Sequence, residues 1–152
     1  MEIQKLKSGE AAPMDLLLLA DPSEEMVMEY LTQGQCYVAK IDNKIVGVYV
    51  LFQRRRDKIE LKNIAVDESE QGKGIGKQLI NHAIANARLL GYKYIEVGTG
   101  NSSIGQLALY QKCGFRITAV IKDFFKKNYE EEIIENGILC RDMIKLRMDL
   151  SK

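Results

Sequence analysis

A glycine-rich stretch from Gln71 to Lys77, QGKGIGK, is where residue types and spacing most clearly indicate chemistry, and it stands directly before a run with helical periodicity. Glycine in a structured segment costs about 0.5–1 kcal/mol relative to alanine, so the cluster indicates that something must come close to the main chain. A strand, a glycine-rich turn and a helix start also leave N–H groups unpaired at the positive end of a helix dipole. The stretch therefore predicts an anion site, with phosphate as the natural ligand.

Other interpretations of this loop fit the residues poorly. A Walker A loop needs a wider glycine spacing and a Lys followed by Ser or Thr, whereas Lys77 is followed by Gln78. A dinucleotide-binding loop reads G-x-G-x-x-G near the start of a βαβ unit, but more than two predicted strands precede this one. A helix start without any ligand needs one polar capping residue and not three glycines.

The spacing of Gln71, Gly74 and Gly76 matches Q-x-x-G-x-G, and here the sequence resembles the GCN5-related N-acetyltransferase (GNAT) family, which binds the pyrophosphate of acetyl-coenzyme A (acetyl-CoA) with this loop. LALYQKCGF resembles the family's L-Y-x-K-x-G-F motif, and IELKNIAVDESE resembles its fourth strand. The resemblance implies one N-acetyltransferase domain over residues 1–152. Its fold is α/β (α+β), with a central mixed, mostly antiparallel, splayed sheet of about seven strands and helices on both faces.

The resemblance also implies which residues contact acetyl-CoA. The N–H of Val66 meets the thioester carbonyl, and Ile64 contacts the pantetheine arm. Relatives often place an asparagine seven residues before the motif tyrosine, where this chain has Ser103 and, nearby, Asn101; capping of a helix by the same residues is the alternative. The complete predicted set is Ile64, Ala65, Val66, Gln71, Gly72, Lys73, Gly74, Ile75, Gly76, Lys77, Asn101, Ser103 and Tyr110.

Two residues are predicted to be catalytic. Tyr110 matches the family tyrosine that protonates or hydrogen-bonds the departing sulfur, and a phenol is protonated at neutral pH. Glu60 matches the catalytic glutamate of the histone-acetylating branch, with Glu96 as the rival general base. The alternatives are a packing role for Tyr110 and, for Glu60, a solvent-facing strand position paired with Lys58 or Lys62.

Predicted elements must position these groups. The three β-rich runs between Cys36 and Asp67 indicate an antiparallel meander, and the later order β, loop, α, β, α, β indicates adjacent parallel-type pairing. The patterns predict strands in MEIQKLK, YKYIEVGT, FRITAVIKDFF and MIKLRMDL, helices in APMDLLLLAD, PSEEMVMEYLTQG, Lys77 to Leu90 and SIGQLALYQKC, and a loop with a helical turn in KKNYEEEIIENGILCRD.

Composition narrows the class of partner. The chain has 152 residues with Lys+Arg 22 against Asp+Glu 21, a formal charge of +1, so no basic field favours nucleic acid or an anionic membrane. Three widely spaced cysteines and the single histidine, His82, argue against a metal site or a disulfide framework. The N-terminal apolar run is too short for a signal or a membrane span, so we expect a cytoplasmic protein.

The acceptor is predicted only as a class. We expect a direct ternary-complex transfer to a primary amine of a small molecule or peptide, in a pocket built from SEEMVMEYL and DFFKKNYEEEIIENG. The acidic run Glu130 to Glu132, with Glu135 and neighbouring aromatic rings, suits a cationic amine. The alternative is that these residues form a charged, solvent-exposed surface on a helical turn. The alternative function is a non-catalytic acetyl-CoA-binding sensor or protein-interaction module. Homodimers are common in similar proteins, and the final strand is the candidate interface.

Overall fold

The computed structural model describes residues 1–151 as a seven-stranded sheet with helices on both faces and one small hairpin. The elements, in chain order, are β1 Glu2–Lys5, α1 Met14–Ala20, α2 Glu24–Gln33, β2 Gln35–Ile41, β3 Lys44–Arg55, β4 Lys58–Val66, a short 3-10 turn Glu68–Glu70, α3 Ile75–Leu89, β5 Tyr94–Gly100, α4 Ile104–Lys112, β6 Arg116–Ile121, α5 Phe124–Asn128, β7 Ile133–Glu135, β8 Ile138–Cys140 and β9 Met143–Asp149. The predicted mixed, mostly antiparallel sheet of about seven strands is confirmed.

The sheet order is β1-β2-β3-β4-β5-β9-β6, and every neighbouring pair is antiparallel except β4 with β5. The predicted meander of β2, β3 and β4 is confirmed. The predicted parallel-type pairing of the later strands holds only for β4 and β5. It is wrong for β5 and β6, because β9 lies between them and pairs with both in antiparallel fashion.

Two hydrophobic clusters hold the helices to the two faces of the sheet. One cluster joins α3 to β3, β4 and β5, and its fully buried side chains include Leu79, Ile80 and Ile95. The other joins α1 and α2 to β2, β3 and β4 through Leu17, Val27 and neighbouring valines. These clusters explain the predicted helical periodicities, because each helix buries one apolar stripe against the sheet.

The segment after β6 differs from its prediction. Phe124 and Phe125 begin α5 instead of extending the strand, because the strand ends at Ile121 and Asp123 turns the chain with a left-handed φ of 59°. The expected loop is a hairpin, β7 with β8, closed by Asn136 and Gly137 at φ of 55° and 72°. Asn-Gly is a strong hairpin turn, and this signal was present in the sequence. The final strand, β9, has both edges paired, so the open edge at this end of the sheet belongs to β6.

Candidate functional site

The parting of β4 and β5 creates the principal cleft. These strands pair only from Lys58 with Tyr94 to Leu61 with Val97. Beyond that point β4 remains paired with β3 up to Val66, while β5 remains paired with β9 up to Gly100. Because each strand keeps its other neighbour but loses the pairing between β4 and β5, the main-chain N–H and C=O groups on their facing edges are left open to the cleft. The resulting cleft has a volume of about 1420 Å³ and also reaches α1, α2, α4 and the segment from Phe124 to Glu135.

The glycine loop meets this cleft through Gln71, while Gly72 to Lys77 lie outside its lining. The loop has the backbone geometry that its glycines predicted. Gly72 and Gly74 both have φ of 82°, in the left-handed region that residues with a Cβ rarely adopt. A Cβ on either residue would meet no atom within 4 Å, so backbone conformation and not crowding by the protein requires these glycines. Gly74 precedes the first residue of α3 and offers no side-chain cap, which leaves the first N–H groups of α3 available to an anion.

The side chains of the loop have separate tasks. Gln71 donates a hydrogen bond from Nε2 to the carbonyl oxygen of Val66 at 3.1 Å, which ties the loop to the end of β4. Lys73 forms an ion pair with Glu70 at 2.7 Å, and Ile75 is buried in the core. Lys77 is exposed. Because the side chain of Ile75 is buried, any contact from Ile75 to a phosphate would come from its main chain.

The three predicted residues of β4 all line the cleft. Ile64 and Ala65 are buried, with relative exposures of 7% and 8%, and Val66 is half-buried. They lie beyond the last β4–β5 pair, on the part of the strand that has lost its parallel neighbour. This position places their main chain beside the cleft, as an oxyanion donor requires.

Tyr110 lies in the cleft with an unpaired hydroxyl. Its ring is 3% exposed and packs edge-on against Phe115, with ring centroids 5.8 Å apart. Tyr110 lines the cleft, and its hydroxyl has no hydrogen-bond partner within residues 1–151. Burial, followed by the nearby Cys113, raises the pKa of Tyr110 above its ordinary value of 10.0. The phenol therefore remains a neutral donor at every working pH.

The two candidate carboxylates occupy different surroundings. Glu60 lines the cleft but is buried, with its side chain 6% exposed, and its oxygens form ion pairs with Arg54 at 3.4 Å and Lys62 at 3.7 Å. The alternative for Glu60, a solvent-facing strand position paired with Lys58 or Lys62, does not match this burial, although Lys62 is a partner. Glu96 lies outside the cleft lining, where Lys58 and Arg147 pair with it at 3.5 and 3.3 Å. Its placement favours a structural role.

The structure gives Asn101 and Ser103 different contacts. Asn101 braces the chain before β9: Nδ2 donates to the carbonyl of Leu139 at 3.1 Å, and Oδ1 accepts from the N–H groups of Arg141 and Asp142 at 2.8 and 3.0 Å. Both polar atoms of the Asn101 side chain are therefore hydrogen-bonded within the protein, and Asn101 does not line the cleft. Ser103 lines the cleft at the start of α4 and donates to Glu135 at 2.9 Å. Ser103 is thus the better placed of the two predicted contacts.

The far end of the cleft contains residues that the sequence pattern did not single out. Asp21, Tyr30 and Asn63 join a hydrogen-bonded group there with Tyr129, which belongs to the predicted pocket segment DFFKKNYEEEIIENG. Asn63 carried a signal in the sequence, since it is a polar residue inside an apolar strand, whereas Asp21 reads as an ordinary loop residue. Residues of SEEMVMEYL and DFFKKNYEEEIIENG, the segments predicted to form the acceptor pocket, line the cleft.

Two further findings concern the described chain as a whole. Residues 1–151 contain no group of three or more His, Cys, Asp or Glu side chains arranged to hold a metal ion. None of the helices in this range is both long enough and apolar enough to cross a membrane.

Comparison with known proteins agrees with this fold. The Acetyltransferase (GNAT) family model matches residues 9–115. The uncharacterized N-acetyltransferase YvbK of Bacillus subtilis is 59% identical over 136 residues, or 90% of this chain and 88% of YvbK. A GNAT family acetyltransferase from Elizabethkingia anophelis, crystallised with acetyl-CoA bound, is 53% identical and superposes with a TM-score of 0.96 over 97% of each chain. The IAA acetyltransferase from Bacillus cereus is 56% identical, with a TM-score of 0.94 over 97% of this chain and 98% of its own.

The fold is that of an acetyl-CoA-dependent acyltransferase. The chain belongs to the GNAT acetyltransferase family and is an acetyl-CoA-dependent N-acetyltransferase, so the predicted family and class of enzyme are confirmed.

Proposed function

We propose that this enzyme transfers the acetyl group of acetyl-CoA directly to a primary amine of a cationic small molecule or peptide, with both substrates bound together. The observation that carries the proposal is the unpaired hydroxyl of Tyr110 in the cleft where β4 and β5 part. In the reaction a C–N bond forms, the thioester C–S bond breaks, the amine loses a proton and the thiolate gains one. Each of these changes has a candidate group in the cleft.

The residues predicted to contact acetyl-CoA divide into main-chain and side-chain groups. The open N–H groups at the start of α3 support pyrophosphate binding by Gly72 to Lys77. The main chain of Ile64 to Val66 is proposed to pair with the pantetheine arm, with the Val66 N–H at the thioester oxygen. Gln71 acts through Val66, Ser103 is the preferred side-chain contact, and Asn101 is assigned to bracing instead.

Tyr110 is proposed to stabilise the departing sulfur by hydrogen bonding and not by complete proton transfer. A thiol has a pKa of about 8.5, whereas burial raises the pKa of Tyr110 above 10.0. A full transfer from phenol to thiolate would therefore cost more than about 2 kcal/mol, at 1.36 kcal/mol for each pKa unit. A charge-assisted hydrogen bond stabilises the same sulfur without this cost.

Glu60 is proposed to receive the proton of the amine, directly or through water. It is the one candidate base of the two that lines the cleft. Arg54 and Lys62 neutralise its buried charge, and an incoming ammonium group would add a third cationic partner. Replacement by Gln keeps the shape of the side chain and removes its capacity to take a proton.

The acceptor end supports a cationic substrate. Among the described residues, the cleft lining has nine carboxylates, namely Asp21, Glu24, Glu25, Glu29, Glu60, Glu130, Glu131, Glu132 and Glu135. It has only two basic side chains, Arg54 and Lys62, and both pair with Glu60. A cleft lined by one sign of charge concentrates ligands of the other sign. Homodimer formation, a cytoplasmic location and a single domain over residues 1–152 remain predictions.

Calorimetric titration with acetyl-CoA and a thiol-release assay test the proposal. Wild type should bind acetyl-CoA and release CoA with lysine peptides, polyamines or aminoglycosides, and Gly74→Glu should lose binding. Tyr110→Phe should keep acetyl-CoA affinity but lower kcat by about 10²-fold or more. Glu60→Gln should keep acetyl-CoA affinity but lower kcat. Because the Bacillus cereus relative is named for IAA, that acceptor belongs in the panel.

The outcomes separate the proposal from its alternative. Acetyl-CoA binding without turnover of any acceptor would favour the sensor or interaction module. Turnover of IAA but of no cationic amine would overturn the assigned acceptor class. Failure of wild type to bind acetyl-CoA would contradict the roles given to the glycine loop.

A further inference from the structure

The carboxylate of Asp21 connects the two walls at the acceptor end of the cleft. Its Oδ1 accepts hydrogen bonds from the Tyr129 hydroxyl at 2.8 Å and the Ser23 N–H at 3.1 Å, and its Oδ2 accepts from the Tyr30 hydroxyl at 3.2 Å. A carboxylate has about four acceptor positions, so one on Oδ2 is left over. No Lys, Arg or His side chain in residues 1–151 lies within ion-pair distance of Asp21. A half-buried negative charge thus has three neutral donors and no cation.

Asn63 fixes the orientation of the Tyr30 hydroxyl. Its Nδ2 donates to the Tyr30 oxygen at 2.8 Å and to the carbonyl of Leu17 at 3.0 Å. Since the Tyr30 oxygen accepts from Asn63, its own proton is directed to Asp21. Burial, reinforced by the charge of Asp21, raises the pKa of both Tyr30 and Tyr129, so both phenols stay protonated and donate. Asn63 itself is 4% exposed and lines the cleft, and its Oδ1 is buried without a hydrogen-bond partner.

Aromatic rings extend from the tyrosines that bond this carboxylate. Phe125 lies with its ring centroid 5.6 Å from that of Tyr129 and 5.2 Å from that of Phe124, and all three rings line the cleft. The ring of Tyr30 already faces a cation, since Lys62 Nζ lies 5.7 Å from its centroid. Aromatic faces beside a carboxylate attract alkylammonium groups through their quadrupoles, and the attraction strengthens when the cation is desolvated.

Asp21 shares no hydrogen bond or ion pair with the proposed catalytic pair. Asp21 is bonded to Tyr30 of α2 and to Tyr129, which follows α5, and only Tyr30 links it to Asn63 of β4. Tyr110 belongs to α4, and Glu60 is held by Arg54 and Lys62. The same cleft therefore offers two carboxylates with different partners: Glu60 is paired with Arg54 and Lys62, whereas Asp21 has no basic side chain of the described residues within ion-pair distance. Lys62 lies between them, since it also faces the ring of Tyr30. An acceptor with a single ammonium group uses only one of the two carboxylates.

We propose that Asp21, Tyr30 and Tyr129 bind a second cationic group of the acceptor, remote from the amine that is acetylated, and that the acceptor is an alkyl diamine or polyamine. This inference rests on the proposed function, because it assigns the acceptor of the same cleft. Asp21 supplies the charge, the two phenols orient its oxygens, and the aromatic rings enclose the methylene chain beside the bound ammonium.

Steady-state kinetics with a series of α,ω-diamines, and with monoamines of matching length, test this assignment. Asp21→Asn keeps the size of the side chain but removes its charge, and should raise KM for diamines by about 10-fold or more without a comparable change in kcat. Tyr129→Phe should raise the same KM by about 3- to 10-fold. Monoamine kinetics and the Kd of acetyl-CoA should stay within about twofold of wild type, since each tenfold change corresponds to 1.4 kcal/mol.

Matched controls separate binding from structure. Asp15→Asn removes an exposed carboxylate on α1 outside the cleft, and Tyr92→Phe removes a hydroxyl that bonds Gln53 outside the cleft. Neither should change the ratio of diamine to monoamine KM. If Asp21 only holds the two walls together, Asp21→Asn will change both classes of amine equally, and the proposal is overturned. Equal KM values for diamines and monoamines in wild type would overturn it as well.

Equilibrium binding keeps this test independent of turnover. A diamine titrated into the CoA-bound wild type should bind, and Asp21→Asn should weaken that binding by about 10-fold. If wild type binds CoA but no diamine, the assignment of Asp21 is refuted while the proposed acetyl-CoA chemistry is unaffected. Absence of CoA binding would instead contradict the proposed function, and the diamine titration of the free enzyme would then decide the Asp21 assignment alone.

Discussion

Replacement of Gly76 by Ala separates the needs of the fold from those of the ligand. Gly76 is the second residue of α3, and unlike Gly72 and Gly74 it has no left-handed φ. A Cβ there would lie 3.7 Å from Leu109 Cδ2 and 3.9 Å from Val66 Cγ2, which are ordinary van der Waals distances. The protein alone therefore does not require glycine at this position. The Cβ would, however, stand beside the end of β4, where Val66 lines the cleft.

The two expected effects of Gly76→Ala have opposite signs. Alanine is more favourable than glycine in a helix by about 0.5–1 kcal/mol, so the ligand-free variant should be more stable by that amount. For a chain of this size the melting temperature should rise by about 1–4 °C. If the pyrophosphate lies against the main chain of Gly76, the added methyl group should weaken acetyl-CoA binding by about 10-fold or more, which is 1.4 kcal/mol.

Thermal unfolding without ligand and calorimetric titration with acetyl-CoA measure the two effects. Gly105→Ala is the matched control, because Gly105 is the second residue of α4 and a Cβ there would meet no atom within 4 Å. It should stabilise by a similar amount and leave the Kd of acetyl-CoA unchanged. A stabilised Gly76→Ala with unaltered affinity would refute the close approach of ligand to this backbone, and a destabilised variant would refute the reasoning about the fold.

Two further predictions concern stability. The free energy of unfolding should fall as the pH rises above 10. Burial raises the pKa of Tyr30, Tyr49 and Tyr110 in the folded protein, so the unfolded chain loses these protons first. Each tyrosine contributes a slope of up to about 1.36 kcal/mol per pH unit. Tyr49→Phe should reduce that slope in alkaline urea titrations by one proton, and an unchanged slope would contradict the assignment. Asn101→Ala should lower the free energy of unfolding by about 1–3 kcal/mol by releasing the chain before β9, with little change in the Kd of acetyl-CoA. A tenfold loss of acetyl-CoA affinity would show that Asn101 contacts the ligand after all.

Much of the fold and one end of the site could be predicted from sequence because their determinants are local. Amphipathic periodicity located α3 and α4, and the meander followed from three short β-rich runs and their turns. The glycines at 72 and 74 adopt left-handed backbone, which few other residues tolerate, so residue type alone indicated their conformation. The hairpin at Asn136 and Gly137 had an equally local signal that the charged composition around it obscured.

What only the tertiary structure decided are the contacts between distant parts of the chain. Alternation predicts that β9 is a strand but does not choose its neighbours, and its insertion between β5 and β6 depends on long-range pairing. Asp21 and Tyr129 are 108 positions apart, and no local pattern relates them. Residue types by themselves determine which groups can bind phosphate, donate a proton or carry charge. Their meeting in one cleft is decided by how the sheet splays and how its two faces are covered, because burial and pairing are properties of the whole chain.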